Sequence, residues 1–289
     1  MTVLVFGKTG QVAQALRHLA PDAEFLGRSE ADLMDPAACA SAIRQRDVSA
    51  VINAAAWTAV DAAEDNRDAA FVVNAEAPAA MAKAAAEKGV PFVHISTDYV
   101  FDGAGETPFL PTDDTAPLGV YGASKLAGEE GVRAAGGVHA ILRTSWVFSA
   151  TGANFVRTML RLGATRDLLT IVADQIGGPT PAEDIARACL RIAEALTDAP
   201  DTTGTYHFAG APDVSWADFA REIFRQADLR VEVQDIPSAD YPTLAPRPLN
   251  SRLNCDATAG AFGITRPDWR EGLAKTLRIL QTSDGNEGS

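Results

Sequence analysis

Short apolar runs alternate with segments of helical period along the first half of the chain. Val3-Leu4-Val5-Phe6 is an unbroken apolar run, the pattern of a strand buried on both faces. Glu24-Phe25-Leu26, Ala50-Val51-Ile52-Asn53, Pro91-Phe92-Val93-His94-Ile95 and Val138-His139-Ala140-Ile141-Leu142 read as four further strands. Between them lie a helical pattern through Leu16 and Leu19, a second opened by Pro36, and a long alanine-rich one over 69–88 stopped by Gly89. Strands alternating with helices at this spacing predict an α/β fold, a Rossmann-like doubly wound parallel sheet with helices on both faces.

The second half is less regular. Residues 168–172 read as a sixth strand, followed by a Gly-Gly-Pro turn and a helix over 181–196. Beyond residue 200 the rhythm changes: a strand at 205–208, a helix at 216–227, a strand at 231–233, a proline-dense segment at 237–248 and a last helix from Trp269. The expected division is a dinucleotide-binding domain over 1–150, joined by about 165–200, and a smaller C-terminal α/β substrate-binding region over 200–281. The polar residues 282–289 are expected to form a disordered tail.

Composition narrows the class. At 289 residues and 47% hydrophobic the chain can bury a large core, and no apolar run approaches the length of a membrane span. The first residues lead straight into a strand with no basic segment, so a cytoplasmic protein without membrane contact is expected. Cys39, Cys189 and Cys255 are far apart and read as free thiols. A net charge of -13 argues against nucleic acid as a partner. The four histidines have no metal-ligand spacing, so no metal site is expected.

The chemistry-bearing stretches fall at strand ends. Gly7-Lys8-Thr9-Gly10-Gln11-Val12-Ala13 is a glycine-rich strand-to-helix turn, which lets backbone N–H groups approach a pyrophosphate. It is not a P-loop, because Thr2 stands where that motif needs a glycine. After the second strand Arg28 suits a 2′-phosphate, and no acid stands right at the strand end, so the cofactor expected is NADPH, with NADH possible. Asp32 and Leu33 can reach an adenine. The small residues leading to Ala56-Trp57-Thr58 let a flat ligand approach the third strand's end. Ser96 and Thr97 end the fourth strand; taken alone, such hydroxyls are ordinary backbone caps, yet one here can hold a carbonyl oxygen. Tyr121 and Lys125 sit one helical turn apart. An ammonium beside a phenol favours the phenolate, so Lys125 is expected to lower the Tyr121 pKa and make a proton donor.

In this order and spacing the motifs resemble the dTDP-4-dehydrorhamnose reductase family of the extended short-chain dehydrogenases/reductases. Further matching stretches are Asn53-Ala54-Ala55-Ala56-Trp57-Thr58-Ala59-Val60-Asp61, Arg143-Thr144-Ser145-Trp146, Asp174–Thr180 and Arg247-Pro248-Leu249-Asn250-Ser251-Arg252-Leu253. The resemblance covers nearly the whole chain. It implies reduction of the C4 ketone of dTDP-4-dehydro-L-rhamnose, with a dTDP-sugar as the small-molecule partner. It further implies Tyr121 as proton donor, Lys125 as holder of the nicotinamide ribose and Thr97 as partner of the ketone oxygen. Gly7, Gly10, Gln11, Val12, Asp32, Leu33, Ala56, Trp57 and Thr58 match cofactor contacts; Asp98 and Trp146 match substrate contacts. Arg247, braced by Pro246 and Pro248, is a candidate for the substrate diphosphate. Some relatives bridge a dimer with Mg2+ through a glutamate where Ala15 stands, so that metal is not expected, and monomer and homodimer both remain open. The competing readings are a sugar-nucleotide epimerase of the same fold, which retains NAD, and a nucleotide-binding regulatory subunit. Intact Thr97, Tyr121 and Lys125 count against the latter.

Overall fold

The computed structural model describes residues 2–286, with side chains through residue 282. β1 (Val3–Phe6), β2 (Glu24–Leu26), β3 (Ala50–Asn53), β4 (Phe92–Thr97) and β5 (His139–Thr144) lie in one parallel sheet. The order across it is β2-β1-β3-β4-β5, with the strand Gly204–His207 on the outer side of β5. α1 (Gln11–Leu19) and the helix Ala182–Asp198 cover one face, where Leu16, Ile185 and Ile192 pack on Val5 and Ile52. α2 (Pro36–Arg44), α5 (Ala77–Lys88) and α6 (Val120–Ala134) cover the other, with Ile43, Met81 and Val132 against Leu4 and Ile141. Burial on both faces explains the unbroken apolar runs of these strands. The chain leaves β1 toward β2 on one side and enters β3 on the other. The crevice at the carboxyl ends of β1 and β3 is therefore the switch point where such sheets bind ligands.

The division of the second half differs from the sequence expectation. Leu168–Val172 does not join the main sheet; it pairs with the polar strand Glu232–Ile236. Its Leu168 and Thr170 face solvent, while Leu169 and Val172 are buried. A strand with one wet face does not fit inside a sheet covered on both sides. Gly204–His207 takes the sixth place instead, with Tyr206 and His207 buried. Residues 204–207 thus belong to the main sheet and 168–172 to the smaller C-terminal α/β region. That region has its own core, built from Phe148, Met159, Phe219, Phe224, Trp269 and Leu273.

Two helices also differ. The alanine-rich pattern over 69–88 begins earlier, as α3 (Val60–Asp65) and α4 (Arg67–Phe71), and passes through a π-helical turn, Val72–Glu76, before α5. The last helix spans Trp269–Asn286, five residues past the end expected at 281; residues 287–289 of the expected tail lie outside the described residues. Among the described residues no helix is long and apolar enough to cross a membrane.

Candidate active site

The turn after β1 brings backbone to the switch point. Gly7 has φ +119, a conformation that glycine alone adopts without strain, and a Cβ there would meet the Ala54 carbonyl carbon and oxygen at 3.3 Å. Its missing side chain leaves a cradle between the ends of β1 and β3. Gly10 caps α1 with no side-chain hydrogen bond, so the helix N-terminus is left for an anion. Gln11 reaches across the chain, its Oε1 accepting from Ser149 at 2.9 Å and Asn154 at 3.0 Å. Val12 is buried beneath the turn. These residues fit a dinucleotide pyrophosphate.

At the end of β2 Arg28 is exposed and has no ion pair or hydrogen bond among the described residues. An acid is present after all. Glu30 folds back so that Oε2 accepts the Gly27 N–H and the Ser29 hydroxyl, each at 2.9 Å, while Oε1 accepts from Lys8 Nζ at 2.5 Å. The Lys8 hydrogen bond leads the causes that hold the Glu30 carboxyl down at about 2. The strand end thus offers both an acid and two cations. Asp32 Oδ1 accepts the Met34 N–H at 3.0 Å, and Leu33 is buried beside it. After β3, Asn74 of the π-helical turn clamps the loop, accepting the Trp57 N–H at 2.8 Å and donating to the Trp57 carbonyl at 3.0 Å. Ala56 is half-buried and Thr58 exposed.

β4 ends in Ser96 and Thr97, and a short turn, Asp98–Val100, follows. α6 packs directly on this turn because residue 122 is glycine: a Cβ there would lie 2.1 Å from the Tyr99 carbonyl oxygen. Glu64 of α3 accepts the Val120 N–H at 2.8 Å and holds the helix start. Tyr121 is thereby placed beside Thr97, whose hydroxyl acts on the phenol. Thr97 also donates to Asp98 Oδ1 at 3.0 Å and accepts the Tyr99 N–H at 3.2 Å.

Lys125 does not act as its spacing suggests. Its Nζ donates to the Ile95 carbonyl at 2.6 Å and stands 3.3 Å from His94 Nε2. Burial pushes the Tyr121 phenol up to about 12; the Thr97 hydroxyl opposes this, the Asp98 charge adds to it, and Lys125 is not among the causes. The expected lowering of Tyr121 by Lys125 is therefore corrected. The lysine side chain runs beneath the helix to β4 and places its charge on a strand carbonyl. Burial brings Lys125 itself down to about 8, against an opposing pull from Glu129. Glu129 is held by Arg143 in a buried two-pronged pair, at 2.9 and 2.7 Å, and accepts from Ser96 at 2.6 Å.

On the substrate side, the Asp98 carboxylate is buried. Oδ1 accepts from Thr97, Ser251 stands close enough to favour the carboxylate, and Oδ2 has no hydrogen-bond partner. Burial pushes this carboxyl up to about 6. Trp146 lies just beyond Thr144, which pairs in register with Thr97. Its backbone is left-handed, φ 49, and its ring stacks on Trp216 with centroids 3.5 Å apart and planes at 9°. Arg247 is already paired: Nη2 donates to Asp61 Oδ2 at 2.7 Å, and Asp61 Oδ1 accepts the Ala245 N–H at 3.0 Å. This ties the proline-braced segment to α3. Arg247 also lies close enough for its charge to act on Tyr99, whose ring meets Tyr121 edge-on at 5.5 Å.

A family model described as the RmlD substrate binding domain matches residues 1–282. The chain belongs to the dTDP-4-dehydrorhamnose reductase (RmlD) family. A dTDP-4-dehydrorhamnose reductase of Sinorhizobium fredii is 47% identical over 289 residues, covering 97% of this chain and 98% of the relative. The crystal structure of such a reductase from Clostridium acetobutylicum matches with a TM-score of 0.90 and 35% identity, over 97% of this chain and 100% of that one. The Bacillus anthracis reductase, solved in complex with NADP, matches with a TM-score of 0.88 and 32% identity, over 96% of this chain and 100% of that one.

The fold brings the residues matched to the RmlD family into two groups. Gly7, Gly10, Gln11 and Ala56 line the switch point, and Thr97, Asp98, Tyr121 and Lys125 cluster where β4 meets α6. Thr58 stands outside both, exposed to solvent, as does Arg28, which was read from its place at the end of β2. Sequence reasoning missed Glu30, Asp61, Asn74, His94 and Ser251 as members of the site. Asp61 and Ser251 lay inside RmlD-like stretches, the one signal that pointed to them.

Proposed function

We propose that this chain reduces the C4 ketone of dTDP-4-dehydro-L-rhamnose to dTDP-L-rhamnose, the last step of dTDP-rhamnose synthesis, with NADPH or NADH as hydride source. The observation that carries this reading is the pair of hydroxyls where β4 meets α6, the buried Thr97 and the half-buried Tyr121, close enough for Thr97 to act on the phenol. Two donors converging on one point suit a carbonyl oxygen that gains charge. A bound nicotinamide supplies the hydride. Thr97 holds the ketone oxygen, and Tyr121 gives its phenolic proton to that oxygen as the alkoxide forms. Burial keeps the phenol protonated at neutral pH. Because an alkoxide is a far stronger base than a phenolate, a donor near 12 still gives its proton downhill. Lys125 anchors the nicotinamide ribose.

Asp98 Oδ2, buried without a partner, accepts a sugar hydroxyl. Trp146 packs on the sugar, and Arg247 exchanges Asp61 for the diphosphate. At the adenosine end Arg28 and Lys8 serve a 2′-phosphate and Glu30 a free 2′-OH, so both cofactors are accepted, with NADPH preferred. The protein works as a monomer or homodimer. The test is loss of NADPH or NADH absorbance with dTDP-4-dehydro-L-rhamnose as acceptor. No consumption, together with stoichiometric NAD retained through purification, overturns the reading in favour of an epimerase.

A further inference from the structure

Behind Lys125 lies a chain of buried polar groups that the reaction above does not use. His94, on β4, is fully buried, with Asn53 of β3 on one side and Lys125 on the other. The orientation of the Asn53 amide is set by its neighbour: Oδ1 accepts the Ala55 N–H at 3.1 Å, so Nδ2 is the atom that faces the histidine. Nδ2 lies 3.2 Å from His94 Nδ1 and has only protons to offer, so Nδ1 must accept. Burial holds the imidazole neutral, with the Lys125 charge acting in the same direction. A neutral ring carries one proton, which is then on Nε2, the atom 3.3 Å from Lys125 Nζ.

An ammonium set against an N–H donor is a mismatch, whereas an amine has a lone pair to receive it. We propose that Asn53 and His94 are positioning residues that lock the imidazole in its Nε2–H form and thereby make the amine form of Lys125 the better partner in this pocket. Lys125 Nζ then accepts from His94 and donates to the Ile95 carbonyl. The other groups facing the lysine are accounted for. Glu129, one turn along α6, favours the ammonium, but its carboxylate is shared with Arg143, Arg133 and Ser96. Tyr121, one turn earlier, is neutral, and the Asp98 charge acts on it rather than on Lys125. The low value for Lys125 fits this arrangement, and the lock makes Lys125, not His94, the group that changes charge near neutral pH.

The lock deepens the role given to Lys125 above, but it is read without turnover, so either can fail alone. The experiment is nitrogen NMR of the full-length protein labelled with 15N-histidine at pH 7. His94 is identified among the four histidines by its loss in His94→Phe, or by replacing the other three. The expected result is a neutral Nε2–H ring. A Nδ1–H ring or an imidazolium overturns the proposal. In Asn53→Asp the carboxylate accepts from both Ala55 and the ring. The tautomer should then switch to Nδ1–H, and the Lys125 ionisation, followed by NMR of lysine-labelled protein, should rise by about one unit or more. An unchanged tautomer in a folded Asn53→Asp protein also overturns it.

Discussion

Replacing Asp98 by asparagine should stabilise the protein at neutral pH while impairing it as an enzyme. In the folded chain burial lifts this carboxyl from 3.8 to about 6. The folded state therefore binds the proton more tightly than the unfolded one, and stability is lost as pH rises from about 4 through about 6. Linkage puts the cost of the buried charge at about 3 kcal/mol at pH 7 and about 1.5 kcal/mol at pH 5. Asparagine removes that cost and keeps an oxygen for Thr97. It also places an amide where Oδ2 has no partner, a penalty of about 2 kcal/mol that does not vary with pH. The variant should thus be more stable than the parent by about 1 kcal/mol at pH 7 and about equal or slightly less stable at pH 5. Urea unfolding at both values, above the pI of 4.7, reads this directly. With a slope of about 3 kcal/mol per molar, the gap between midpoints should change by about 0.5 M. A gap that stays constant between the two pH values refutes the argument. Turnover should fall in the same variant, because the carboxylate that receives a sugar hydroxyl is gone.

Three further perturbations probe other parts of the site. Tyr121→Phe should lower kcat by about 100-fold or more with cofactor affinity unchanged, measured by steady-state assay and fluorescence titration; near-parental turnover removes Tyr121 as the acid. Glu30→Gln should shift the kcat/KM ratio and the Kd ratio toward NADPH, and Arg28→Ala toward NADH; equal effects on both cofactors would show that the β2 end does not discriminate between them. Arg247→Ala should raise KM for the sugar nucleotide by about 10-fold or more with kcat less affected, and an unchanged KM removes it from the diphosphate site.

The sheet was legible wherever strands are buried on both faces, since Val3–Phe6 and its like leave an unbroken apolar record. Residues 168–172 carry a similar record but belong elsewhere, because their partner Glu232–Ile236 is polar and exposed and gives no apolar signal to pair with. The Tyr121–Lys125 spacing correctly set both residues on one helix face. It could not show where a flexible four-carbon side chain ends, and that end point decides which group the lysine charge acts on. Glu30 escaped notice because the acid test looks at the strand end, whereas this carboxylate returns to it from three residues beyond. Asn74 was hidden inside an alanine-rich helix whose period gives no hint of a π turn.

The Asp61–Arg247 pair has a consequence for how fast and how selectively the substrate is taken up. Asp61 is 47% exposed, so the pair contributes about 0–1 kcal/mol and is easily given up. It works as a placeholder: it holds the guanidinium in one arrangement near Tyr99 and is surrendered at little cost. A diphosphate arriving there meets an arginine whose rotamers are already restricted and pays less ordering entropy for its hydrogen bonds. A ligand with a single weak negative charge gains nothing over the carboxylate it displaces. On the proposed reading, the same contact would tune the cleft toward sugar nucleotides and away from free sugars or simple carboxylic acids.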